Sequence, residues 1–134
     1  MKKYFMVYAF CFLLLASLIG CGSKGITVKG KVVFDGEPVA TGSITFMPVD
    51  GNAPTGGGAI TKGAYSVNLT PGNYKVQIFG TRVTGTMIAG PDEVDAGQER
   101  EIVEEYIPDK YNTKTTLKAD LQKSNRSLDF NLEK

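Results

Sequence analysis

The chain has 134 residues, of which 15 are basic and 14 acidic, with two cysteines and no histidine. So balanced a charge leaves no electrostatic footprint for nucleic acid or for an anionic bilayer. The missing histidine removes the Ser-His-Asp and Cys-His nucleophile schemes together with His-ligated zinc.

At the start, Lys2 and Lys3 precede an uncharged apolar run from Tyr4 to Ile19. That run is short for a transmembrane helix and suits a secretory signal peptide. It ends in Leu18-Ile19-Gly20-Cys21, which resembles the lipobox of bacterial lipoproteins. The resemblance implies lipidation of the Cys21 thiol by diacylglycerol, removal of residues 1–20, and a lipidated tether over 21–25. With about 0.8 kcal/mol for each buried methylene, two or three acyl chains on one cysteine would anchor the protein durably. The residue after Cys21 is Gly22 and not the Asp that resembles an inner-membrane retention signal, so the outer membrane is expected. Cleavage would leave 114 residues, one domain's worth, and 13 basic against 14 acidic side chains, since Lys2 and Lys3 are lost. Membrane attachment would then rest on the acyl chains. Cys11 lies in the leader and Cys21 at the lipid site, so the domain over 26–134 has no thiol for a disulfide, a metal or a nucleophile.

The domain reads as strands. Residues 26–34 alternate, with Ile26, Val28, Val32 and Phe34 on one face, and Asp35-Gly36 turns the chain. Glu37 to Gly42 is a loop or edge segment. Ser43 to Met47 alternates again, with Ile44 and Phe46 inward, and Pro48 closes that strand because it cannot donate to a ladder. Four glycines and a proline make 50–58 a surface loop. The segment 63–79 predicts an antiparallel pair: Tyr65, Val67 and Leu69 share a face, Tyr74, Val76 and Ile78 resume it, and Pro71-Gly72 supplies type II turn chemistry between them. Periodicity fails over 80–100, which predicts a long irregular loop. Residues 101–106 predict a short strand or helical turn, 107–112 a tight turn, and 115–121 with 127–132 a last hairpin with Leu117, Ala119, Leu121, Leu128, Phe130 and Leu132 inward. About seven short strands without helical periodicity predict an all-β antiparallel sandwich.

Several stretches together resemble the small lipoproteins of planctomycetes that carry a carboxypeptidase-regulatory-like, transthyretin-like domain. They are residues 28–39, Gly42-Ser-Ile-Thr-Phe-Met-Pro48, Gly63-Ala-Tyr65, Pro71-Gly-Asn-Tyr-Lys-Val76, Ile107-Pro-Asp-Lys-Tyr-Asn112 and Leu128-Asp-Phe130. The resemblance spans nearly the whole of 26–134 and implies a seven-stranded β-sandwich on a lipid tether. It carries over no catalytic residue and no cofactor. The expectation is a monomeric, non-catalytic interaction domain at the cell envelope, facing periplasm or exterior, with a protein or glycan partner and no nucleic acid. A carbohydrate-binding module and a structural envelope component are the alternatives.

Three constellations bear on those alternatives. Asp92, Glu93, Asp95, Glu99, Glu101, Glu104 and Glu105 form an acidic run without the Asp-x-Asp-x-Asp-Gly register of a calcium loop, so neither metal nor carboxylate catalysis is expected from it. Tyr65 and Tyr74 are in phase with the core, which leaves Tyr106 and Tyr111, flanking an irregular turn, as the candidate ligand-binding aromatics. Lys29, Lys31, Asp129 and Asn131 occupy first and last strands as an isopeptide bond would require, but their parity points them to water. The loops 50–58 and 80–100 are the expected contact surface.

Overall fold

A computed structural model describes residues 25–124 and 126–134. The expected signal peptide and Cys21 lie outside the described residues. Within them the protein is all-β: β1 (Ile26–Phe34), β2 (Glu37–Pro38), β3 (Thr41–Pro48), β4 (Gly56–Thr61), β5 (Ala64–Leu69), β6 (Gly72–Ile88), β7 (Glu99–Glu105), β8 (Lys118–Leu121) and β9 (Phe130–Leu132), with one 3-10 turn at Asp109–Tyr111.

These strands form one curled sheet in the order β2-β1-β5-β4-β3-β6-β7, with β8 added to β6 and β9 to β1. Pairing is antiparallel except between β9 and β1, where Val32, Val33 and Phe34 run parallel to Phe130, Asn131 and Leu132. The curl falls at β4 and β5, which share a single ladder pair, Thr61 with Ala64. It brings the inner faces of β1, β5 and β9 against those of β3, β6 and β8. Phe46 sits where they meet, with ring centroids 6.1 Å from Tyr65, 6.1 Å from Tyr74 and 6.4 Å from Phe130.

Parity decides which side chains enter this core. In β5 and the first half of β6, Tyr65, Val67, Leu69, Tyr74, Val76 and Ile78 are buried while Ser66, Asn68 and Lys75 are exposed, as strict alternation requires. Val28, Val32, Ile44 and Phe46 have no exposed surface. At Asp35-Gly36 both residues have positive φ, 50° and 85°, the geometry of the primed turns that match strand twist. Gly30 answers a different need: the Leu128 carbonyl occupies the place a Cβ would take, and that carbonyl accepts a 2.7 Å bond from the Tyr65 hydroxyl. The last segment is thus clamped onto β1. Burial pushes the Tyr65 phenol up, with the Asp129 charge adding to the shift.

Four sequence expectations are corrected. Residues 63–79 do not form a hairpin: β5 pairs with β1 and β4, and β6 with β3, β7 and β8. Both segments alternate because both face the core, and they do so from opposite sides. The connection carries the chain from one side of the core to the other without pairing the two strands, with Gly72 already in β6 at φ 156°. It is fixed by the Tyr74 hydroxyl, which donates to the Thr70 carbonyl at 2.8 Å, an arrangement of the tyrosine-corner type. The second correction concerns 115–121 and 127–132, which pair with β6 and β1 and not with each other. Third, the loop expected over 50–58 gives way to β4 from Gly56 on, paired to β3. Fourth, 80–100 is not irregular throughout, since β6 runs on to Ile88 and β7 begins at Glu99. Phe34, Leu117 and Leu128, expected in the core, are half-buried at its margin, and Val39, Ile60 and Ile107 join the buried set.

Candidate functional site

The second half of β6 leaves the body of the protein. The partner on one side, β3, ends at the pair Thr41 with Thr81, so beyond Thr81 the strand keeps β7 alone. Residues 82–104 therefore form a two-stranded ribbon, with a bulge between Val83 and Gly85. All seven residues of β7 are exposed. Of the seven large apolar side chains exposed among the described residues, six lie here: Val83, Met87, Ile88, Val94, Ile102 and Val103. A ribbon of two strands has no interior in which to bury them.

Charges hold the ribbon at its tip and its root. Near the tip, Arg100 donates from Nε to Asp95 at 2.6 Å, makes a second contact with the same carboxylate, and pairs with Glu93 at 2.5 Å. The Arg100 guanidinium holds the Asp95 carboxyl below its ordinary value, and Asp95 raises Arg100 in return. At the root, the Glu105 carboxylate accepts from the backbone N–H of Gly80 and of Ile107. Arg82 pairs with Glu104 at 3.3 Å. Much of the acidic run is thus spent on structure, and among the described residues no cluster of acidic side chains has the arrangement of a metal site.

Between the ribbon root and the β1–β2 turn lies a cleft of about 800 Å³. One wall carries Phe34, Asp35 and Glu37, and the other Val83, Glu101 and Val103, with Tyr106 between. Phe34 meets Tyr106 edge to face at 5.7 Å, and the Arg82 guanidinium lies over the Tyr106 ring at 5.5 Å. Partial burial raises the Tyr106 phenol, and the charge of Glu105 reinforces the shift. The Asp35 carboxyl is held low by its bond to Lys134, 2.9 Å away. With Arg82 and Lys134 each paired to a carboxylate, Glu37 and Glu101 are, among the described residues, the lining charges without an ion-pair partner.

The two tyrosines expected as a pair are not brought together. Tyr106 lines the cleft, whereas Tyr111 does not: it follows the turn on the far side of Ile107, Lys110 lies over its ring at 5.1 Å, and its hydroxyl accepts from the Glu133 N–H. Lys29, Lys31, Asp129 and Asn131 are all exposed, and the Asp129 carboxylate accepts from the Lys31 backbone N–H at 2.8 Å. Arg82 and Val83 fall within the expected contact segment 80–100, whereas Glu37 and Phe34 are cleft residues that sequence reasoning missed, the last assigned to the core by parity. Its position against the Asp-Gly turn, where a strand leaves the sheet, was the signal that it stands at a margin.

No family model and no curated protein matches the sequence. Among solved structures, part of a 9R-lipoxygenase from Cyanothece PCC8801 superposes with a TM-score of 0.41 at 13% identity, covering 83% of this chain and 16% of that one. The likeness is too slight to bear on fold family or function, and the described chain corresponds to a small part of that enzyme.

Proposed function

We propose that this protein is a membrane-anchored envelope lipoprotein, attached through lipid on Cys21, whose β domain of the transthyretin-like sandwich type serves as a non-catalytic interaction module. The observation that carries the interaction reading is the ribbon 82–104, on which exposed apolar side chains are concentrated. A soluble surface tolerates scattered apolar residues, but a projecting group of six signals a contact. The lipobox resemblance supports the anchor, and the lack of histidine and of domain thiols supports a non-catalytic role.

A carbohydrate-binding reading draws on Tyr106 at the floor of the cleft. It is the weaker of the two, because a sugar stacks on an open aromatic face and a cation already lies over both Tyr106 and Tyr111. The test is crosslinking of the lipidated protein in its native cells, followed by mass spectrometry. Acylation at Cys21 and a protein partner crosslinked within 82–104, lost when the ribbon is replaced by a short turn, are the expected results. An unacylated amino terminus elsewhere overturns the anchor. Retention of every partner by the ribbonless variant overturns the interaction surface, and glycan binding lost in Tyr106→Ala restores the carbohydrate reading.

A further inference from the structure

Strands at sheet edges are ordinarily blunted, and the protein does this at three places by brevity: β2, β8 and β9, each paired on one side, have two, four and three residues. The two edges of the ribbon differ, since that of β6 is broken by the bulge at Val83/Gly85, whose extra residue lies in β6. β7 has seven residues, is regular, and among the described residues has β6 as its one ladder partner. Hydrogen-bonded and non-hydrogen-bonded pairs alternate along an antiparallel ladder. The Tyr106 N–H bonds to the Gly80 carbonyl, and the Ala89 N–H bonds to the Gln98 carbonyl. Counting inward from both ends turns the backbone groups of Glu99, Glu101, Val103 and Glu105 away from β6. A straight row of free donors and acceptors results, which is what an added strand requires.

The side chains at those four positions select the occupant. Three are glutamates, so a second copy of β7 would set each glutamate against itself in parallel register or Glu99 against Glu105 in the symmetric antiparallel one. In the latter the Arg100 that would face Glu104 is already held by Glu93 and Asp95. Like charges directly opposed are destabilising. The glutamates therefore close the edge to the protein itself. They leave it open to a strand of opposite charge. Val83, Glu101 and Val103 line the cleft from the ribbon side, with Glu37 and Phe34 across it. The same face thus offers those two carboxylates above an apolar floor, suited to the aliphatic stem and cationic head of lysine or arginine.

We propose, building on the interaction reading above, that the free edge of β7 receives an extended segment of a partner protein with alternating basic and apolar residues. The segment adds as a strand, with its basic side chains entering the cleft toward Glu37 and Glu101. Backbone pairing supplies register, and the carboxylates supply selectivity.

The test uses the full-length chain in detergent micelles and a fluorescent peptide of about eight alternating lysine and valine residues, long enough to match the edge. Anisotropy should show saturable binding to this peptide. A glutamate-valine peptide, and a lysine-valine peptide with prolines at alternate positions, should each bind at least about tenfold more weakly. Val103→Pro removes one outward N–H without touching the β6 ladder, and it should cost a similar factor while thermal melting stays unchanged. The double variant Glu99→Lys, Glu101→Lys should exchange preference toward the glutamate-valine peptide. Absence of saturable binding, or equal binding of the proline-interrupted peptide, overturns the proposal. So does a dimer in sedimentation that Val103→Pro abolishes, which would assign the edge to a second copy. The two readings fail separately: a native partner crosslinked to the ribbon with no peptide binding retires the basic strand alone. Peptide binding without any ribbon crosslink in cells retires the envelope-partner reading alone.

Discussion

The two halves of β6 belong to one strand and live under different rules. From Tyr74 to Thr81 it pairs with β3 on one side, while β8 and then the segment leading into it cover the start of the other, and Tyr74, Val76, Ile78 and Gly80 are buried. From Arg82 to Ile88 it has β7 alone, and every residue but the half-buried Gly85 is exposed. Stability in the first half comes from apolar area removed from water and from close packing. In the second it comes from a single ladder and a few ion pairs, which contribute little at exposed positions. The contrast separates the part of the molecule that holds the fold from the part free to be matched to a partner.

Core substitution should expose this contrast most strongly. Phe46→Ala, at a site with no exposed surface, is expected to lower unfolding free energy by about 3–5 kcal/mol in chemical denaturation. Val103→Ala on the ribbon should stay within about 0.5 kcal/mol. Comparable losses at the two sites would erase the distinction. Next in size is Tyr74→Phe, which removes the donor to the Thr70 carbonyl at the crossing between β5 and β6 and should cost about 1–2 kcal/mol. A smaller effect is expected from joining Arg82 to Glu104, a hydrogen-bonded pair of the ladder, through an Asn-Gly turn, which excises the ribbon. Since these two residues face each other across the ladder, the change in denaturant midpoint should correspond to less than about 1 kcal/mol. A collapse of stability would show that the ribbon supports the core.

The finest test is acid. The Asp95 carboxyl is held below its ordinary value by Arg100, so its contribution to the ribbon tip is present above the unfolded value of 3.8 and is lost as pH falls through the depressed one. Amide protection at Ala89 and Gly97 should therefore drop on strong acidification while protection at Val76 and Ile78 persists. Simultaneous loss at all four positions would mean that the ribbon and the core open as one unit.

The same contrast explains what could be read from the sequence. Alternation over 26–34, 43–47 and 64–79 was legible because one face of each strand meets the core, and the buried set follows that parity. It could not say which strands pair, because strands facing a common core from opposite sides carry the same pattern. Hence Tyr65-Val67-Leu69 and Tyr74-Val76-Ile78 read as a hairpin although a crossing separates them. Beyond Thr81 neither face of the ribbon is covered, alternation has no cause, and the segment read as a loop. The remaining signal was compositional: Thr81, Val83, Thr84, Thr86 and Ile88 facing Ile102 and Val103 are β-branched residues, which suit strands. Tyr106 was found as an aromatic free of the core pattern. The cleft around it was not legible, since Phe34, Glu37, Arg82 and Glu101 come from distant segments joined only by topology.

The parallel seating of β9 against β1 bears on how the chain acquires its structure. The Lys31 N–H reaches Asp129 across 98 positions of sequence, and the Lys134 N–H reaches Asp35 across 99. Contacts of such span carry a large loop-closure cost before they repay it, and domains dominated by them fold in milliseconds to seconds, well behind those rich in local contacts. During synthesis, one flank of β1 has no partner until residues 126–132 have emerged. A nascent chain stalled before Ser127 would present that flank, with Val32 and Val33 on it, to any chaperone within reach.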